Sequence, residues 1–209
     1  MAITNYGELK STMSDFLNRS DVDSIIPTFI DFAEAEFNRA LRVRQMVFRA
    51  EAPIDTRFSA VPADFLEAKD LVVVTGTPVT PLQFVTQQEL AQIRNEEITT
   101  AGKPRYFSVV GDEFEVVPTP DAVYSVEMSY YAKIPALTSD GQTNWLLTDY
   151  PDLYLYTSLS HSAPYLRDDE RIAVWAGLAQ KAREELIAAD QSASYSGATP
   201  RVRIRGFGV

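Results

Sequence analysis

The spacing of hydrophobic positions changes period along the chain, and those changes outline its elements. Leu9, Met13 and Phe16 or Leu17 fall on one helical face, and Asn5 followed by Glu8 fits a helix-start capping pair. Asn18–Asp23 is polar and turn-like. Ser24 can cap a second helix with Pro27 in its first turn, and Ile26, Phe29 or Ile30, Ala33, Phe37 and Leu41 form its apolar stripe. Asp31, Glu34, Glu36 and Arg39 fall mostly off that stripe and read as a solvated charged face.

From Val43 the period drops to two. Met46, Phe48, Ala50 and Ala52 alternate with Val47, Arg49 and Glu51, as in a half-buried strand. Val61–Ala68 reads as a turn or short helical turn before a strand at Leu71–Val74. Thr75-Gly76-Thr77-Pro78 signals a turn, so a short strand near Val79–Leu82 can pair back. Thr86 with Glu89 forms a capping box that opens a small helix to about Asn95. Arg105–Val110 and Glu113–Val117, joined by Gly111-Asp112, predict a β-hairpin. Val123–Tyr131 alternates Tyr124, Val126, Met128 and Tyr130 against Ser125, Glu127 and Ser129, giving a further strand.

Helical spacing returns after a polar connector, Ile134–Thr143, and Trp145-Leu146-Leu147. Tyr150–Asp190 predicts a helical hairpin. Asp149 and Pro151 suit its start, and Leu153, Tyr156 or Thr157, Ser160 and Ala163 line its first helix. Pro164 must end or kink that helix, because proline lacks an N–H and crowds the preceding turn. Asp168, Asp169 and Glu170 favour a second helix start, followed by Ile172, Trp175, Leu178 or Ala179, Ala182, Leu186 and Ala189. The order helix, helix, β-rich segment, helix, helix implies an α+β fold. Residues 1–42 and 143–192 would form a bundle of N- and C-terminal helices, 43–142 a central antiparallel β-rich insertion, and 193–209 an extended basic C-terminal arm.

Composition narrows the function classes. Among 209 residues the formal charge is −10, which disfavours a surface that grips nucleic acid phosphates. Cysteine is absent, so neither a disulfide framework nor a thiolate zinc site is available. The longest strictly apolar run, Ile172–Ala176, is five residues, so no membrane span is expected. Met1-Ala2-Ile3-Thr4-Asn5 carries neither a basic region nor an apolar signal core. The charge is uneven: Arg201, Arg203 and Arg205 lie in a tail without acids, and the rest holds 16 basic and 29 acidic residues.

Catalytic and cofactor signatures are sparse. His161 is the single histidine, flanked by serines within a helical pattern, so a metal site or a catalytic triad would depend on it alone. Ser158-Leu159-Ser160-His161-Ser162 lacks the glycines and strand–turn–helix context of a nucleophile elbow. Gly76, Gly102, Gly111 and Gly141 are isolated turn glycines. The acidic pairs Glu113/Glu115 and Asp149/Asp152 could serve a glycosidase, yet no feature marks a cleft around them. No catalytic, cofactor-binding or metal-binding residue is assigned, and no enzyme activity is expected. The tail differs. Arg201-Val202-Arg203-Ile204-Arg205 alternates strictly and, with Phe207, has nothing of its own to pack against. Such an arm can add itself as a strand to a partner's sheet edge, its arginines meeting acids there; the alternatives are a frayed terminus or a strand that completes its own domain.

The chain resembles the head-to-tail adaptor (connector) proteins of tailed bacteriophages, including the tail tubular protein A-like group. The resemblance is carried by Ser24–Arg42 with Phe29-Ile30-Asp31-Phe32-Ala33-Glu34-Ala35-Glu36, and by Val61-Pro62-Ala63-Asp64-Phe65-Leu66-Glu67. It continues in Gly102-Lys103-Pro104, Gly111, Pro118-Thr119-Pro120, Tyr130-Tyr131, Tyr150–Tyr156 and Ala163-Pro164-Tyr165-Leu166. It implies a structural virion protein of the neck, made in the host cytoplasm. Such adaptors form a ring, usually of twelve copies, between the portal protein and a tail or nozzle protein. DNA passes through their channel without specific binding. On this reading Arg201, Val202, Arg203, Ile204, Arg205 and Phe207 form the portal-binding arm. Alternatives are another neck or tail-completion protein, or a cell-envelope hydrolase.

Overall fold

The computed structural model describes residues 3–76, 78–97, 100–166 and 170–195. Helices at both ends of the chain flank antiparallel sheets, giving the α+β class that the periodicities imply. Two compact units result: Met1–Arg39 with Pro135–Val209, and Ala40–Ile134.

The first unit is helical. In α1 (Tyr6–Leu17), Leu9, Met13 and Leu17 are buried and Phe16 is exposed, so the four-residue spacing selects Leu17. The Asn5 side chain accepts the Glu8 N–H at 2.9 Å, and Glu8 accepts the Thr4 N–H at 2.7 Å. The helix ends at Asn18, whose left-handed φ of 51° asparagine tolerates better than most residues. Helix α2 (Ile26–Ala40) buries Ile26, Phe29, Ile30, Ala33 and Phe37. It begins two residues beyond Ser24, which is therefore not its cap residue.

Helix α4 (Trp145–Asp149) is a short element capped by Asn144, and α5 (Pro151–Ser160) follows with proline in its first turn. Asp149 ends α4 and does not cap α5, whose preceding residue, Tyr150, makes no side-chain cap bond. Leu153, Tyr154, Leu155, Thr157, Ser158 and Leu159 are all buried, so α5 is enclosed nearly all round. The Phe37 and Tyr154 rings meet edge to face at 5.1 Å. Pro164 lies in the turn after α5, as its chemistry requires. Helix α6 (Arg171–Tyr195) packs on α5 and buries Trp175, Ala179, Ala182 and Leu186. Leu178 and Ala189 face outward, which settles the choice between Leu178 and Ala179.

The second unit holds two four-stranded sheets. One has the order β1 (Val47–Ile54), β8 (Tyr124–Ala132), β3 (Phe65–Val73) and β4 (Thr80–Pro81). The other runs β2 (Phe58–Ala60), β7 (Glu113–Val117), β6 (Tyr106–Val110) and β5 (Gln83–Phe84). Pairing is antiparallel except between β5 and β6. The sheets share a core that includes Leu71, Val73, Phe107, Phe114, Val126 and Met128. Strand β8 alternates as its sequence predicts, with Val126, Met128 and Tyr130 buried. The hairpin β6–β7 turns at Gly111, where φ is +61° and a side chain would be strained.

Strand β3 begins at Phe65, earlier than the pattern indicates, because register shifts at Phe65/Glu67 and Ala68/Asp70 break its alternation. Helix α3 (Gln87–Gln92) carries the Thr86 cap, with the Glu89 N–H donating to Thr86 Oγ1 at 3.2 Å. It continues into a wider turn, Ile93–Glu97.

Candidate assembly surfaces

The arm residues Arg201, Val202, Arg203, Ile204, Arg205 and Phe207 lie outside the described residues. The described residues include three buried or half-buried polar clusters.

The first centres on Glu34, buried in α2 although sequence spacing gave it to the solvated face. Its Oε1 accepts the Leu137 N–H at 3.0 Å and the Tyr154 O–H at 2.8 Å. Asn144 Nδ2 donates to Tyr154 Oη at 3.0 Å and to the Pro135 carbonyl at 2.8 Å. Burial raises the Glu34 pKa, partly offset by the bonds from Leu137 and Tyr154, while Asp31 adds to the rise. Burial likewise raises the Tyr154 pKa, with the Glu34 charge adding to it. A signal was present: Glu34 stands four residues after Ile30 and three before Phe37, next to the stripe.

The second cluster joins α2, α5 and α6. Glu36 contacts His161 Nε2 at 3.0 Å and pairs with Arg183, and the Phe32 ring meets the imidazole edge-on at 6.0 Å. His161 is thus held as part of a helix-to-helix contact. In the third, Glu115 of β7 is buried, and its Oε1 takes Arg57 Nε at 2.7 Å and also Arg94. A substrate would have to displace both guanidinium groups to reach Glu115. Glu113, on the same strand face, is exposed. Asp149 and Asp152 lie at the α4–α5 junction, both on the surface. Among the described residues, no three His, Cys, Asp or Glu side chains converge as metal ligands would. Their helices include none long and apolar enough to cross a membrane.

What the described surface offers beyond ionic groups is apolar area. The helical unit exposes Phe16, Phe32, Tyr165 and Val174, and the sheet unit exposes Phe48, Phe58, Phe84 and Val123. Singly exposed apolar side chains are ordinary on a protein surface, and only a contiguous patch of them marks a contact face.

Residues 4–204 match the family model described as SU10 adaptor protein. The chain belongs to that family. No curated protein matches the sequence. Membership makes it a bacteriophage adaptor, a structural component of the virion whose partners are in general portal and tail proteins. The match runs through both units of the adaptor and reaches Ile204, inside the alternating arm.

Proposed function

We propose that the adaptor assembles in multiple copies, as a dodecamer, into a ring that joins the portal of the capsid to the tail and extends the DNA channel. The match to an adaptor family over residues 4–204 carries this reading. Charge supports it. Without its arm the chain keeps 16 basic and 29 acidic residues, and an acidic channel lining repels phosphate and lets DNA slide, whereas a basic lining would retain it. A ring of identical copies uses a heterologous interface, so two different faces of one chain must be complementary. No catalytic role is assigned.

Within this reading Arg201, Val202, Arg203, Ile204, Arg205 and Phe207 form the portal contact, and the sheet unit presents the tail-facing surface. The test uses purified portal-containing heads, mixed with the full chain or with a chain lacking residues 198–209 and separated by sedimentation. The full chain should travel with heads as a ring, and the truncated chain should stay in the supernatant with unchanged circular dichroism. Co-sedimentation of the truncated chain at the full level would refute the arm assignment. Failure of the full chain to travel with heads would refute the ring.

A further inference from the structure

The two sheets each end in a strand with no outer neighbour. Strand β1 stands last in one sheet order and β2 last in the other, so among the described residues each has one ladder partner. An unpaired edge presents a row of backbone N–H and C=O groups ready to pair with another chain. Between these edges opens an apolar cleft of about 320 Å³, lined by Ala50 and Ala52 of β1, Ser59 and Ala60 of β2, and Phe114 and Met128 behind them.

The cleft lacks a cover. Phe48, Ala50 and Ala52 pair in register with Tyr130, Met128 and Val126, which places them on the core-facing row of β1. Yet Phe48 is 49% exposed and Ala52 is exposed as well. The small side chains at 50, 52, 59 and 60 leave room for larger ones from outside. Around the cleft, Glu51, Asp55, Asp112 and Glu113 are exposed. The nearby cations are engaged, Arg49 with Glu127 at 3.6 Å and Arg57 with Glu115. On the outer row, Glu51 stands directly opposite Glu127. Arg49 engages Glu127, and among the described residues Glu51 accepts only the neutral Ser125 hydroxyl at 2.7 Å, so the pair carries one more carboxylate than cation.

An occupant must therefore be extended, apolar at every second residue and basic between. The chain carries that pattern in Arg201-Val202-Arg203-Ile204-Arg205. Laid along β1, period two would send Val202 and Ile204 into the cleft, over Ala50 and Ala52. The same period would send the three arginines to the outer row, beside Glu51 and Glu127. Pro53 has no N–H to give, so the pairable edge is Val47–Ala52, long enough for these five residues.

We propose that this cleft is a docking site for residues 201–205 of a second copy of the chain, added as a strand on the β1 edge. The inference rests on the ring reading only in that a ring brings copies together. One segment cannot serve the cleft and the portal at once, so the pairing belongs to the protein before attachment.

The absence of cysteine allows a clean test. Full chains carrying Ala52→Cys and full chains carrying Val202→Cys, one of them tagged for size, are mixed and treated with a short bismaleimide. A cross-link between the two chain types can form only between copies. The mixed dimer should exceed either like dimer. Adding Ile204→Asp to the Val202→Cys chain should lower it by at least about tenfold, because a carboxylate would have to enter an apolar cleft. Glu51→Arg on the other chain should lower it as well. A mixed dimer no more abundant than the like dimers, or indifferent to Ile204→Asp, would overturn the proposal. Attachment to heads is measured alongside: normal attachment without the mixed dimer sinks the cleft alone. The mixed dimer without attachment of the unsubstituted chain sinks the ring reading alone.

Discussion

Glu34 shows how one residue can make stability depend on pH. In the unfolded chain its carboxyl titrates near the ordinary value of about 4.3. In the folded chain burial moves the pKa upward, against the pull of the Leu137 and Tyr154 hydrogen bonds. Because the folded value is the higher, the contribution of Glu34 is complete below the unfolded pKa and is lost as pH rises through the folded one. Gln at this position keeps the shape and an acceptor oxygen but cannot ionise. The Tm of Glu34→Gln relative to the natural chain should therefore climb between pH 4 and pH 7.5, each kcal/mol appearing as about 2–4 °C in a chain of this size. A difference that stays flat or falls over that range would contradict the burial argument. Glu34 was legible in part: its spacing put it at the stripe's margin, but its partners Leu137 and Tyr154 are more than a hundred residues away in sequence. The same distance problem hid the Glu115 cluster, whose Arg57 partner is 58 residues earlier.

At the scale of elements, two helix caps that look alike in sequence should differ in worth. Thr86 accepts one N–H at an exposed helix start, so Thr86→Ala should cost about 1 kcal/mol. Asn144 is buried and binds three ways, capping α4 through the Leu147 N–H at 2.9 Å while donating to Pro135 and Tyr154. Asn144→Ala removes the cap and strips a donor from the buried Tyr154 oxygen and, in a half-buried bond, from the Pro135 carbonyl, an expected loss of about 2–4 kcal/mol. Urea denaturation of the two variants measures both, and equal losses would refute the ranking. Elements with an unbroken period were readable from sequence: the stripes of α1, α2 and α6, strand β8, and the hairpin with its Gly111 turn. Those that escaped have physical reasons. Bulges scramble β3, β2 has only three residues, and β5 pairs in parallel through two. The candidate site divides similarly. The alternation of the arm is written in the sequence, whereas the cleft between β1 and β2 exists only once two sheets are stacked.

For the whole molecule, the helical unit is assembled from both ends of the chain, Met1–Arg39 with Pro135–Val209, around an uninterrupted Ala40–Ile134. The Glu34 bonds to Leu137 and Tyr154 are among the contacts that close it. This ordering has a consequence during synthesis. The sheet unit is complete in the nascent chain while the partners of α1 and α2 are still untranslated. Helix α6, which completes the helical unit, ends at Tyr195, so its synthesis finishes about 3–12 s after that of Ile134 at bacterial-type rates, against about milliseconds to seconds for folding a small β domain. The sheets should therefore form first, and the stripe from Ile26 to Phe37 should wait uncovered on the ribosome, where chaperones would meet it. Nascent chains arrested at Glu170, which places the whole sheet unit outside the exit tunnel before α6 is made, and treated with protease should yield a protected fragment covering the sheets and free cleavage before Arg39. Equal protection of both regions would mean that the helices find another cover, and that birth order does not govern how this adaptor folds.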